Sequence, residues 1–235
     1  TVKISPSASV LVNGCAVDEY TTETFAVSGG NVILYDNDSD NVYDAVHITS
    51  YETYYADYVS ADADTVYNIY TADSEKSILD LEEKDSIKVI VYKDGKQTDK
   101  SAIAKGSVLT VANGGEGENK IITVYVSDKS EKGSISEYSS DDDEITINEM
   151  TYKLANGYLD ASKANDKKAW QIRLGVPVTV YKDYFGKIAY IKPFDTEYIY
   201  GYALYADRER YTEIKLLDEF STWQTYKFAD KVKFN

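Results

Sequence analysis

Alternation with a period of two residues, punctuated by tight-turn residues, is the feature that most restricts what this chain can fold into. In SIKVIVYKDGKQTDKSAI (Ser86 to Ile103) β-branched residues and tyrosine alternate with polar ones on either side of Asp94-Gly95. The Asp-Gly pair supplies the two positive-φ positions of a two-residue hairpin, so the stretch predicts strand, turn, strand. PVTVYKDYFGKIAYI (Pro177 to Ile191) repeats the design with Gly186 at its turn. KIITVYVSDKSEKGSISEY and EITINEMTYKL add further strands, and Asp141-Asp142-Asp143-Glu144 between them reads as a solvated loop. Side chains that alternate between two faces bury one face only when strands pair, which favours antiparallel sheets over helices.

Helical periodicity is scarce. YLDASKANDKKAWQI (Tyr158 to Ile172) predicts a short helix capped by Asp160 or Ser162, ended by Gly175-Val176-Pro177. SEKSILDLEEK is a weaker helical candidate. Both are expected as connectors packed on sheets. The fold expectation is therefore all-β: two to three small antiparallel barrel or sandwich modules in tandem, with one or two short connector helices. Residues 1–80 form a β module with an aspartate-rich hairpin loop and 81–195 a β-barrel-like module. Residues 196–235 supply hairpins of a further module or complete the first.

Composition narrows the function classes. The chain of 235 residues carries a net charge of −15 and has a pI of about 4.5. Such a field repels phosphate backbones and attracts divalent cations, so nucleic acid is not expected as a partner. The 23 tyrosines outnumber 6 phenylalanines and 2 tryptophans, as suits half-wet sheet faces. The single cysteine, Cys15, rules out an intramolecular disulfide and a cysteine-based zinc site. No run approaches the ~20 apolar residues of a membrane-spanning helix. Thr1 opens the sequence without an initiator methionine or a leader-like segment, as in a fragment or a processed chain.

A weak internal repeat is also visible. Gly133 to Asn156 can be laid over Gly201 to Asp230, the two ending Tyr-Lys-Leu-Ala and Tyr-Lys-Phe-Ala. The closing KVKFN resembles SVLVNG near the start, as in a piece of a tandem array.

The most chemical stretch is NVILYDNDSDNVYDAVHIT (Asn31 to Thr49). Asp36, Asp38, Asp40 and Asp44 stand at positions one, three, five and nine of a loop, and the backbone carbonyl of Val42 falls at position seven. Alternate oxygen donors in a tight loop suit calcium, which takes 6–8 oxygen ligands at ~2.3–2.6 Å. The flanks are strands, so the pattern resembles the strand-loop-strand aspartate loops of integrin-type propellers more than a helix-flanked EF-hand. Asn41 stands where that pattern has glycine, and His47 where an EF-hand has its bidentate glutamate. A bound calcium would be structural, pinning the hairpin.

Other residues carry weaker signals. His47, the only histidine, sits at strand spacing with no nucleophile motif beside it, and Cys15 follows an Asn-Gly turn as a small packed side chain. NGGEGEN and VSGGN lack the Lys-Ser/Thr of a phosphate cradle and read as turns. No pair of carboxylates is marked for catalysis, so a non-enzymatic chain is expected. Tyr198, Tyr200 and Tyr202 fall on one face of a strand and offer a ligand-binding platform for glycans or another protein. Tyr51, Tyr54, Tyr55 and Tyr58 form a second aromatic run, and for both runs core packing, with tyrosine standing in for phenylalanine, is the simpler reading.

Six stretches, VKISPSASVLVNG, NVILYDNDSDNVYDAVHI, SIKVIVYKDGK, ITINEMTYKL, LGVPVTVYKDYFGKIAYI and YKFADKVKFN, occur in an order that resembles the extracellular β-module region of clostridial (Gram-positive) surface proteins carrying S-layer homology domains. The resemblance implies an extracellular, cell-wall location and a structural or scaffold role. The implied partners are other modules of the same chain, cell-wall or surface components, and glycans.

Overall fold

A computed structural model describes residues 2–27, 29–72, 75–115 and 120–193, and the strands 201–206, 213–218 and 223–227. Among the described residues the chain is mostly β, with one short α-helix. It divides into two units, Thr1–Pro193 and Phe194–Asn235.

The first sheet contains β1 (Ile4–Val12), β2 (Cys15–Val17), β3 (Gly30–Tyr35) and β4 (Tyr43–Ser50), ordered β2-β1-β4-β3. Asn13 and Gly14, both at positive φ, turn β1 into β2. β1 pairs parallel to β4, with Val10 beside Val46 and Val12 beside Ile48. Val10, Val46 and Ile48 form a small core, covered by Tyr20, Phe25 and Val27 of the segment that crosses from β2 to β3.

The second sheet takes seven strands: β5 (Glu52–Val59), β6 (Thr65–Asn68), β7 (Ile78–Asp80), β8 (Ile87–Lys93), β9 (Lys96–Thr98), β10 (Val108–Gly114) and β11 (Lys120–Ser127). Their order is β7-β6-β5-β10-β11-β8-β9, with β8 parallel to β11. Asp94 and Gly95 make the predicted β8–β9 turn at φ 51° and 75°. Strands from both ends of the sheet share one core, in which Val66 and Leu79 meet Val91 and Val124. Lys100, just past β9, pairs with Asp64 and donates to the Leu81 carbonyl just past β7. The two edges are thus tied by a side chain while the ladder stays open.

The third sheet contains β12 (Ser130–Ser139), β13 (Glu144–Ile147), β14 (Met150–Lys153), β15 (Pro177–Lys182) and β16 (Ile188–Pro193), ordered β14-β13-β12-β15-β16. Helix α1 (Asn156–Lys163) follows β14. The largest core lies between this sheet, α1 and the face of the second sheet that carries Tyr55 and Val108. Ile135, Ile145, Ile147, Ile188 and Ile191 are fully buried there, each stabilising the fold by ~1.5–3 kcal/mol relative to exposure. In the second unit β17 (Gly201–Ala206), β18 (Glu213–Asp218) and β19 (Trp223–Lys227) form an antiparallel meander. β12–β13–β14 is a meander too, and Tyr152-Lys153 and Tyr226-Lys227 close the two last strands at matching places of the sequence repeat.

Four expectations are corrected. Among the described residues no sheet closes into a barrel, because in each the first and last strands pair on one side only, and the three sheets of the first unit are open and stacked. The boundary expected at 80/81 falls inside the seven-stranded sheet. SEKSILDLEEK supplies β7 instead of a helix, since pairing with β6 buries Leu79 and continuation of the chain buries Leu81. The connector helix begins at Asn156 and ends at Lys163, so Asp160 and Ser162 lie within it; its N-cap, Ala155, has no side-chain cap, and Asn156 donates instead to the Tyr51 carbonyl at 3.0 Å.

Candidate metal centre

The aspartate loop joins β3 to β4, whose ladder runs from Gly30–Ser50 to Tyr35–Ala45. β4 is also held by β1, and Val32, Leu34, Val46 and Ile48 root the hairpin in the first core. The loop therefore springs from a fixed base. Its backbone is shaped by its own carboxylates: Asp36 accepts from the Ser39 and Asn41 N–H groups at 2.6 and 3.0 Å, and Asp38 from Asp40 N–H at 3.2 Å. Asp40 accepts from Val42 N–H at 2.7 Å. Asp and Asn side chains favour such local bonds to the backbone over regular structure. Asn41 takes the left-handed conformation at φ 65°, the geometry for which the sequence pattern wants glycine, and Ser39 does so at 64°.

The result is a cluster. Asp36, Asp38 and Asp40 each place a carboxylate oxygen within 4.8 Å of the others, on an exposed loop tip. Asp44 lies outside that group; its Oδ2 accepts from Asn37 N–H at 2.9 Å and braces the base of the loop. Val42 contributes its N–H to Asp40. The donor set is three hard anionic oxygens with solvent access, which fits calcium or magnesium and not a soft metal.

His47 is an exposed strand residue whose ring meets Tyr35 edge-on at 4.8 Å. Cys15 packs against Gly114, where a Cβ would lie 3.0 Å from its Sγ. Tyr51, Tyr54 and Tyr55 are buried, with Tyr55 against Tyr190 at 4.3 Å and Tyr181 at 5.1 Å, while Tyr58 is exposed. Burial pushes the Tyr55 and Tyr70 hydroxyls above the usual tyrosine range, with neighbouring tyrosines adding to it. Tyr198 and Tyr200 lie outside the described residues, and Tyr202 is 77% exposed.

A different aromatic surface was not legible in the sequence. Tyr92 and Tyr125 stack at 5.4 Å across the β8–β11 pair, Tyr184 meets Tyr125 at 4.6 Å, and Phe185 stacks on Tyr51 at 4.6 Å. Phe185 is half exposed. The available signal was Tyr184-Phe185, two aromatic residues in a hairpin turn where polar residues are the rule. A cavity of about 190 Å³ opens beside β5 and α1. Within it the Lys76 ammonium bridges Glu52 and Asp160 at 3.2 and 3.4 Å.

No protein-family model, curated protein or solved structure matches this chain.

Proposed function

We propose that this chain is a non-enzymatic structural segment of a Gram-positive cell surface, built from β modules in series and stiffened by calcium at the β3–β4 loop. One observation carries the reading: three aspartate oxygens converge within 4.8 Å at the tip of a hairpin whose strands are anchored in a sheet. Asp36, Asp38 and Asp40 would hold the ion, with the Val42 carbonyl, Asp44 and water completing its shell. The ion would offset repulsion among the carboxylates and fix the loop, which is a structural role. The extracellular setting is supported by the resemblance of the six quoted stretches.

The test is calorimetric titration of chelator-treated protein with calcium, run beside thermal melts with and without the ion. An exposed site of this kind should bind with a dissociation constant of about 10⁻⁴–10⁻³ M. At ten times that concentration the folded state gains about 1.4 kcal/mol. Both heat and stabilisation should vanish in Asp38→Ala/Asp40→Ala. An absence of heat and an unchanged melt at millimolar calcium refute the reading.

A second reading is favoured by the aromatic surface. Tyr92, Tyr125, Tyr184 and Phe185 present contiguous rings that suit the apolar faces of sugars, making the chain a glycan-binding or adhesive module. Retention on immobilised cell-wall polysaccharide, lost in Phe185→Ala, supports it; equal passage of both proteins through the column removes it.

A further inference from the structure

Glu131, Asn148 and Lys182 come together at one rim of the largest core from three separate parts of the third sheet. β12, the central strand, carries Glu131 near its start. The β12–β15 register sets Glu131 opposite Val180, so Lys182 follows two residues on along the same face. On the other flank of β12, the Asn148-Glu149 turn, with both residues at positive φ, brings Asn148 back over the strand. Lys182 Nζ donates to Glu131 Oε2 at 2.5 Å. Asn148 Nδ2 donates to Glu131 Oε1 at 2.8 Å and to the Lys132 carbonyl at 2.9 Å. An amine and a carboxamide thus occupy the two oxygens of one carboxylate.

Tyr152 and partial burial shield the Lys182–Glu131 pair, while Asn148 stands at the exposed turn. Tyr152 donates its hydroxyl to Glu131 Oε2 at 2.9 Å, and its ring lies 4.0 Å from Lys182 Nζ. The Lys182 and Glu131 side chains are only 16% and 22% exposed. Gly133 leaves the space the carboxamide occupies: a Cβ there would lie 2.9 Å from Asn148 Cγ and 2.8 Å from the Ile147 side chain. The electrophilic carbon is therefore lodged against the backbone of the strand that carries the carboxylate.

We propose that Lys182 and Asn148 condense into an intramolecular isopeptide bond, with Glu131 as the proton shuttle. Glu131 Oε2 takes a proton from the Lys182 ammonium, leaving a neutral amine whose lone pair attacks Asn148 Cγ. The Nζ–Cγ bond forms and the Cγ–Nδ2 bond breaks. Glu131 Oε1 delivers the proton to the departing nitrogen, a second proton from Nζ follows, and the nitrogen leaves as ammonium. One hydrogen remains on the new amide, and no oxidant or cofactor enters the balance. Burial opposes the Lys182 charge, but Glu131 and Tyr152 outweigh it and raise the ammonium above the usual lysine range. The hydrogen bond from Lys182 chiefly holds Glu131 below the usual carboxylate range. The charged pair is thus the resting state, and condensation is a slow, single-turnover maturation. The product ties β15 to the β13–β14 turn across β12 and resists unzipping of the sheet from either side.

Mass spectrometry decides. The folded full chain, held at neutral pH and then denatured, should weigh about 17 Da less than its sequence, the mass of one ammonia. Proteolysis should release a branched peptide joining Lys182 to Asn148. Lys182→Arg, which keeps the pair with Glu131, and Glu131→Gln should both fold, as judged by circular dichroism, and retain the full sequence mass. Wild-type protein at full mass with only linear peptides overturns the proposal. A loss of ammonia without the branched peptide also overturns it, since that marks a succinimide at an asparagine.

Discussion

Replacing Asp183 by asparagine should stabilise the first unit at neutral and alkaline pH and leave it no more stable in acid. Asp183 begins the β15–β16 turn and is fully buried. Its Oδ1 accepts from the Lys187 N–H at 2.8 Å, while Oδ2 has no hydrogen-bond partner among the described residues. Burial pushes the carboxyl above its ordinary value, and the backbone N–H groups of Lys187, Phe185 and Gly186 together with the Lys187 charge only partly offset it. A buried polar atom left unsatisfied costs about 1–3 kcal/mol. Asparagine keeps the shape and the Oδ1 acceptor and removes the buried charge, but its amide needs an acceptor. Thr110 Oγ1, which accepts from Tyr184 N–H at 3.2 Å, borders the turn. The expected net gain is about 1 kcal/mol at pH ~8, or about 2–4 °C in melting temperature for a unit of this size. A folded-state pKa above the unfolded value means that the wild-type carboxyl contributes fully below pH 3.8 and that stability is lost as pH rises through the folded value. The variant does not titrate there, so its advantage should be absent near pH ~4 and grow toward pH ~8. Urea unfolding followed by intrinsic fluorescence across that range measures it. A difference that stays constant with pH, or a variant weaker than wild type at the alkaline end, refutes the reasoning.

Gly157→Ala should destabilise, although alanine is the better helix former, because its Cβ would strike the Thr53 carbonyl where α1 meets β5. The expected loss is about 1–3 kcal/mol by urea unfolding, and a gain in stability would show that the helix can move off the strand. Asp166→Ala should cost about 1–2 kcal/mol by freeing the N–H groups of Thr71, Ala72 and Lys168, which Asp166 accepts at 2.7, 3.0 and 2.9 Å. Burial raises this carboxyl, but those N–H groups and Lys168 outweigh it and hold it low. Its contribution is therefore present above pH 3.8 and lost as pH falls through the folded value, so wild type and variant should converge in acid melts.

Much of the local structure was legible because local residues decide it. Asp94-Gly95 and Gly186 make turns because their backbones accept positive φ, and alternation such as KVIVY commits a stretch to a strand before its partner is known. Asn41 likewise announced a sharp turn, and the convergence of Asp36, Asp38 and Asp40 follows from their spacing on a hairpin tip. SILDL was misleading for the complementary reason: its apolar spacing suits a helix, and only the open edge of β6 makes a strand there bury Leu79. The Asn148-Glu149 turn carried no glycine to mark it.

Pairing over long separations belonged to the tertiary structure alone. Nothing local says that β1 lies parallel to β4 or β8 to β11, or that strands on both sides of residue 80 share one sheet. Those choices follow from closing loops and filling shared cores, in which every strand competes for the same apolar faces. The same holds for chemistry. The sequence determined an acidic, tyrosine-rich β chain with one aspartate loop, because period, turn residues and charge are properties of neighbours. The meeting of Glu131, Asn148 and Lys182, the unpaired oxygen of Asp183 and the ring ladder of Tyr92, Tyr125 and Tyr184 were decided by strand register, which sets residues far apart in the chain within a hydrogen bond of one another.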